Sequence, residues 1–120
     1  MKIFKFGGAS VKDADGVKNV LSVLEKVGYE DVLLVISAMG KTTNALEVVI
    51  KNYFDKSEAL NASVQEVRKY HNQILLELFE DDKHPVFKAI NSHFEDLDYF
   101  LSHNKSPNYN FIYDQIVSYG

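Results

Sequence analysis

The sequence predicts an α/β protein that opens with a strand–helix–strand unit and continues in helices. Three observations carry this. A short apolar stretch, Lys2–Phe6, runs directly into Gly7-Gly8. A continuous aliphatic run, Val32-Leu33-Leu34-Val35-Ile36, ends at a second polar loop, Ser37-Ala38-Met39-Gly40-Lys41-Thr42-Thr43-Asn44. After Thr43 the apolar residues recur at helical spacing almost to the end of the chain.

Taken in order, Lys2–Phe6 is the first strand and residues 7–12 a loop. Asp13 is the N-cap of a helix. Ala14, Val17, Leu21 and Leu24 form its apolar stripe, Val20 and Val27 widen it, and Gly28 stops it in the C′ position. Val32–Ile36 reads as a strand buried on both faces, the parallel-sheet type. Residues 2–36 are therefore a βαβ unit, whose crossover is expected to be right-handed. Residues 43–119 read as helices. Leu46, Val49, Ile50, Tyr53 and Phe54 make one stripe; Leu60, Val64, Val67, Ile74, Leu75 and Leu78 make a second. Pro85, at a first helical turn, opens a third stripe of Phe87, Ile90, Phe94, Leu97 and Leu101, and Pro107 opens a last helix through Ile112 and Ile116.

Composition narrows the function classes. With 120 residues the chain is one domain or less, and 46% hydrophobic content suffices for a core. Thirteen basic against seventeen acidic residues leave a net charge of −4, with no basic stripe for nucleic acid or a membrane surface. The absence of Cys excludes disulfides and thiolate metal sites. Only Ile3 and Phe4 separate Lys2 from Lys5, which is no signal-peptide core, and no apolar run reaches a membrane span. A cytoplasmic location is expected. His84, His93 and His103 match no zinc spacing, and His71 interrupts a helical stripe as a core or boundary residue.

Both polar loops lie at the C-terminal ends of candidate parallel strands, the edge where open α/β sheets bind ligands. Gly7 and Gly8 let a phosphate approach the backbone, their N–H groups can converge on an anion, and the following helix N-terminus adds a partial positive charge. Lys5 can reach a transferred phosphoryl group and Ser10 can donate a further hydrogen bond. An ordinary Gly-Gly turn beside a solvated lysine satisfies the same residues. In the second loop, Ser37, Thr42 and Thr43 can donate hydrogen bonds and cap a helix beginning near Asn44, with or without a ligand; Gly40 permits a tight turn. Gly40-Lys41-Thr42 imitates the end of a Walker A loop, but the required first glycine falls at Val35, so a P-loop is excluded; no G-x-G-x-x-G is present either.

Lys5-Phe6-Gly7-Gly8-Ala9-Ser10-Val11 resembles the N-terminal signature of aspartate kinases, K-F-G-G-[ST]-S-[VL], and residues 37–44 resemble that family's second block, S-A-M-G-x-T-T-[DN]. The two blocks cover about the first 45 residues, and Val117-Ser118-Tyr119-Gly120 resembles the start of a third block in which Gly is followed by Glu. The resemblance implies an amino-acid-kinase fold, an open and mainly parallel sheet between helical layers, of which these residues form the helix-rich N-terminal portion. It implies phosphorylation of the β-carboxylate of L-aspartate by ATP, with Mg2+ bound mainly through the nucleotide, on the route to lysine, threonine and methionine. By position, Lys5 would be catalytic, neutralising charge on the moving phosphoryl group. Gly7 and Gly8 would hold ATP phosphates through backbone N–H groups, Ser10 and Ser37 would assist near the phosphates or the acceptor carboxylate, and Thr43 would contact aspartate. Ala9 departs from the usual Ser or Thr, removing one hydroxyl. Most of the nucleotide pocket, the aspartate-binding Glu and the regulatory domains have no counterpart in these residues, so the expectation is a piece of the enzyme that is inactive alone. Two strands do not make a stable buried parallel sheet, so further strands are expected beyond residue 120; a self-contained helical domain with a minimal sheet is the alternative. Exposed strand edges and apolar faces lead to an expectation of self-association. Two other functions stay open: a relative acting on glutamate, acetylglutamate, carbamate or UMP, and a non-catalytic domain that binds phosphate compounds.

Overall fold

Strand β1 (Lys2–Phe6) and strand β2 (Val32–Ile36) pair in parallel, with Lys2 opposite Val32 and Phe6 opposite Ile36. The computed structural model describes residues 1–120. Between the strands lie a 3-10 turn, Gly8–Val11, and helix α1 (Ala14–Val27); after β2 come α2 (Thr42–Phe54), α3 (Leu60–Leu78), α4 (Pro85–His103) and α5 (Tyr109–Val117). The architecture is thus a helix-rich α/β chain with one two-stranded parallel sheet. It divides into two compact units, Met1–Thr42 and Thr43–Gly120.

In the first unit the expected βαβ order holds. Asp13 caps α1 by accepting the Gly16 N–H at 2.8 Å, and Gly28 ends the helix at φ 81°, where a side chain would be strained. Lys2 N–H extends the ladder to the Asp31 carbonyl at 3.0 Å. Residues 7–12, read as a loop, are mostly a 3-10 turn, because the Ser10 N–H closes back on the Gly7 carbonyl at 3.0 Å.

One expectation is overturned. Val32–Ile36 is not buried on both faces: Leu33, Leu34, Val35 and Ile36 are between 38% and 55% exposed. Side chains alternate across a sheet, so Ile3, Lys5, Leu33 and Val35 share one face and Phe4, Phe6, Leu34 and Ile36 the other. On the first face, every one of the four is exposed. A continuous aliphatic run reports that a strand can be buried on both faces; burial itself requires neighbours, and β1 is the only strand paired with β2. The stripe of α1 is likewise only partly used: Ala14 and Val20 are buried, whereas Leu21 and Val27 are exposed.

The second unit has a conventional helical core. Leu46, Val49 and Ile50 of α2, Val64 and Val67 of α3, Phe94 and Leu97 of α4, and Ile112 and Ile116 of α5 form one cluster. Each predicted stripe contributes to it, although Ile74, Leu75, Leu78 and Phe87 are not among its members. Helix α2 starts two residues before the predicted Asn44, at Thr42. Pro85 is at the first turn of α4, as expected, with the His84 Nδ1 accepting the Val86 N–H at 3.1 Å. Pro107 does not open α5: Asn108 is the N-cap, its side chain accepting from Phe111 N–H at 3.1 Å. The Tyr53 hydroxyl lies within hydrogen-bond distance of the carbonyls of Asn104 and Ser106, at 3.0 and 3.2 Å, tying α2 to the α4–α5 connection. Arg68 of α3 bonds Asn91 of α4 at 3.2 Å and sits over the Phe94 ring. His71 is half-buried with Nδ1 at 2.8 Å from the Val67 carbonyl, the boundary role read from its position.

Candidate functional site

The parallel ladder carries the ends of β1 and β2 to the same edge. The Ser37 N–H donates to the Phe6 carbonyl at 3.0 Å, one step past the last strand pair, so the two loops leave the sheet side by side. They are then tied directly: the Gly40 N–H donates to the Gly8 carbonyl at 3.0 Å. Gly40 has φ 56°, the left-handed region that favours glycine, which turns its N–H back toward the first loop.

The two adjacent glycines have different roles. A Cβ on Gly8 would lie 2.5 Å from the Gly40 carbonyl oxygen and 3.0 Å from that of Ala38, closer than carbon and oxygen pack. Gly8 is therefore glycine because the second loop lies against it. A Cβ on Gly7 would meet nothing within 4 Å. Neither residue uses a positive φ; Gly7 is extended at φ −75°, ψ 172°. Left-handed glycines therefore play no part in this turn, which is a 3-10 turn over Gly8–Val11. The N–H groups of Gly7, Gly8 and Ala9 precede the first hydrogen bond of that turn and find no acceptor in the chain.

The second loop is closed from within. Thr42 is 3% exposed, and its hydroxyl donates to the Met39 carbonyl at 2.5 Å while its N–H donates to the same oxygen at 3.0 Å. This hydroxyl is consumed in shaping the turn and does not cap α2. The first turn of α2 holds no acidic residue, and Lys41 precedes it. At α1 the situation is reversed: the Asp13 carboxylate already occupies the helix start and Asp15 follows in the first turn. The partial positive charge expected from the helix after Gly7-Gly8 is therefore offset by the chain's own carboxylates.

Lys5 is exposed on the open face of β1, paired in register with Val35, and forms no ion pair. Ser10 and Ser37 are exposed, and neither hydroxyl has a partner. Thr43 is the second residue of α2, half-buried, and begins the helical unit. Within the first unit the fold thus joins Gly8 to residues 38–40 and Phe6 to Ser37. Sequence reasoning missed Thr42 as a turn-former and Gly16, whose Cβ would lie 2.5 Å from the Ser10 carbonyl oxygen. A glycine in the first turn of a predicted helix was the available signal, since glycine is a poor helix former.

The donor set fits phosphate: unpaired N–H groups beside an open Gly7, two free hydroxyls and a lysine. No group of three or more His, Asp or Glu that could hold a metal ion is present. Hollows of about 360–410 Å3 lie on the helical unit, one of them lined by Asp96, Tyr99, His103 and Tyr119. They are wide open, and none is lined by a glycine-rich turn with unpaired N–H groups, which makes the glycine edge the better candidate.

The chain is similar to plant aspartokinases. It is 46% identical over 44 residues to aspartokinase 2, chloroplastic, of Arabidopsis thaliana, a match covering 37% of this chain and 8% of that protein. It is 28% identical over 87 residues to the bifunctional aspartokinase/homoserine dehydrogenase 1, chloroplastic, of the same plant, covering 72% of this chain and 10% of the relative. The bifunctional aspartokinase/homoserine dehydrogenase of Daucus carota is 26% identical over 80 residues, 67% of this chain and 9% of its own. The matched stretch thus spans about a tenth or less of each relative's length. No protein-family profile matches the chain.

Proposed function

We propose that this chain contributes the phosphate-handling edge of a kinase that phosphorylates the β-carboxylate of L-aspartate, as the N-terminal portion of an amino-acid-kinase domain. The observation that carries the reading is the joined pair of loops: Gly8 packed against Gly40, with the N–H groups of Gly7, Gly8 and Ala9 unpaired beside it. The similarity to aspartokinases supports the choice of acceptor.

Bound ATP, with its Mg2+, supplies the phosphoryl group: a carboxylate oxygen bonds to the γ-phosphorus as the bond to the β–γ bridging oxygen breaks and ADP departs. The chain's residues act by position and charge, the dominant contributions in phosphoryl transfer. Gly7 and Gly8 present backbone donors to phosphate oxygens. Lys5 offsets the negative charge that builds on the moving group. Ser10 and Ser37 donate hydrogen bonds from the two sides of the junction, and Thr43, at the start of α2, orients the acceptor amino acid.

The test is a coupled assay of ADP release on the longest native protein that contains these 120 residues. The reading expects turnover that requires both ATP and aspartate and falls at least about a hundredfold in Lys5→Met, the loss typical of a charge-stabilising group. Turnover with glutamate, carbamate or UMP in place of aspartate would reassign the acceptor. Binding of phosphate compounds without turnover in that protein would favour a non-catalytic role.

A further inference from the structure

We propose that Gly16, a residue with no assigned role, is a positioning residue for the phosphate-facing turn. It stands in the first turn of α1, where glycine brings no helix propensity, and its φ is not positive, so conformational freedom is not what selects it. Space is. A Cβ at this position would lie 2.5 Å from the Ser10 carbonyl oxygen and 3.2 Å from its carbonyl carbon, both backbone atoms that cannot swing away. Carbon–oxygen contacts settle near 3.3–3.6 Å, so the Ser10 peptide would have to move by about 1 Å.

The consequence reaches the donors. Gly7–Ser10 is held at two points: the Gly8 carbonyl by the Gly40 N–H at 3.0 Å, and the Ser10 carbonyl by its seat on Gly16. Asp13 locks the second point, because its carboxylate accepts the Gly16 N–H at 2.8 Å and holds the helix start against the turn. The unpaired N–H groups of Gly7, Gly8 and Ala9 lie at or beside the first of these points and ahead of the second. Gly16 thus sets where those donors aim without itself touching a ligand. The structural half of this inference stands on geometry alone; its consequence for binding rests on the phosphate reading of the previous subsection.

The experiment compares Gly16→Ala with Asn19→Ala, an exposed position of the same helix. Both substitutions raise helix propensity. The inference expects opposite signs: amide hydrogen exchange in α1 slows in Asn19→Ala and quickens in Gly16→Ala. In Gly16→Ala the amide shifts of residues 7–11 also move, while those of Val32–Ile36 stay in place. Titration with Mg-ATP should then give a Kd at least about tenfold weaker in Gly16→Ala than in the unsubstituted chain, and unchanged in Asn19→Ala, since an ångström of misplacement is costly at a site built on aimed donors. Slowed exchange together with unmoved amides at residues 7–11 in Gly16→Ala would overturn the inference. Moved amides in a chain whose unsubstituted form ignores Mg-ATP would uphold the positioning and sink the phosphate reading. If Gly16→Ala does not fold, the contact is decided in the unsubstituted chain. Nuclear Overhauser effects between the Gly16 α-protons and the backbone of Ser10 and Val11 support it, and their absence overturns it.

Discussion

Gly7→Ala and Gly8→Ala are the same chemical change at adjacent residues, and the structure predicts that they differ sharply. At Gly7 the added methyl meets nothing within 4 Å and the backbone is extended, so the change should be neutral or stabilise by up to about 1 kcal/mol through the unfolded chain. At Gly8 the methyl would lie 2.5 Å from the Gly40 carbonyl oxygen, and two loops must separate to admit it. Overpacking of this kind costs about 1–3 kcal/mol, and loss of the Gly40 N–H bond to Gly8 adds about 1 kcal/mol. The Gly40 amide, which makes that bond at 3.0 Å, reports the effect locally. At tenfold per 1.4 kcal/mol, its hydrogen exchange should quicken by roughly thirty- to several-hundredfold in Gly8→Ala and stay within about fivefold in Gly7→Ala. Equal exchange in the two variants would refute the claim that Gly8 is glycine because Gly40 lies against it.

Four further outcomes are expected. Leu97→Ala, at a core position 1% exposed, should destabilise the helical unit by about 2–5 kcal/mol in urea unfolding. Tyr53→Phe should cost it about 1 kcal/mol by removing the hydroxyl that ties α2 to Asn104 and Ser106. Burial raises the Tyr53 pKa above its ordinary 10.0, so the unfolded chain ionises first; stability is intact below pH 10.0, falls as pH rises through the folded value, and falls less in Tyr53→Phe when midpoints are followed by circular dichroism. With Leu33, Leu34, Val35 and Ile36 exposed, the chain should bind a surface dye and sediment as a concentration-dependent mixture, and Val35→Lys should shift it toward monomer; a clean monomer without dye binding would contradict this.

How far these features were legible in the sequence differs by residue. Asp13 and Gly28 declared the ends of α1, because capping is chemistry local to a few residues. The helical stripes identified the second unit's core almost residue for residue, since Leu46, Val49, Val64, Leu97, Ile112 and Ile116 each answer to a period of the helix. Val32–Ile36 announced a strand but not its surroundings, because burial depends on partners that periodicity does not contain. Gly8, Gly16 and Thr42 were opaque for another reason. Each is defined by contact with a carbonyl in a neighbouring turn, that of Gly40, Ser10 or Met39, and such contacts appear only when the backbone is placed. The first glycine pair was readable as a junction, yet the division of labour between Gly7 and Gly8 was not.

The central claim is that the joined loops, and not the hollows of the helical unit, receive phosphate. Its most direct test is a titration of the isotope-labelled chain with Mg-ATP, followed at every backbone amide. The account predicts saturable shifts concentrated at Gly7, Gly8, Ala9 and Ser10, with Ser37 moving beside them, and their loss in Lys5→Met at unchanged fold. Shifts clustered instead around Tyr99, His103 and Tyr119, or none at any residue from 5 to 10, would contradict it.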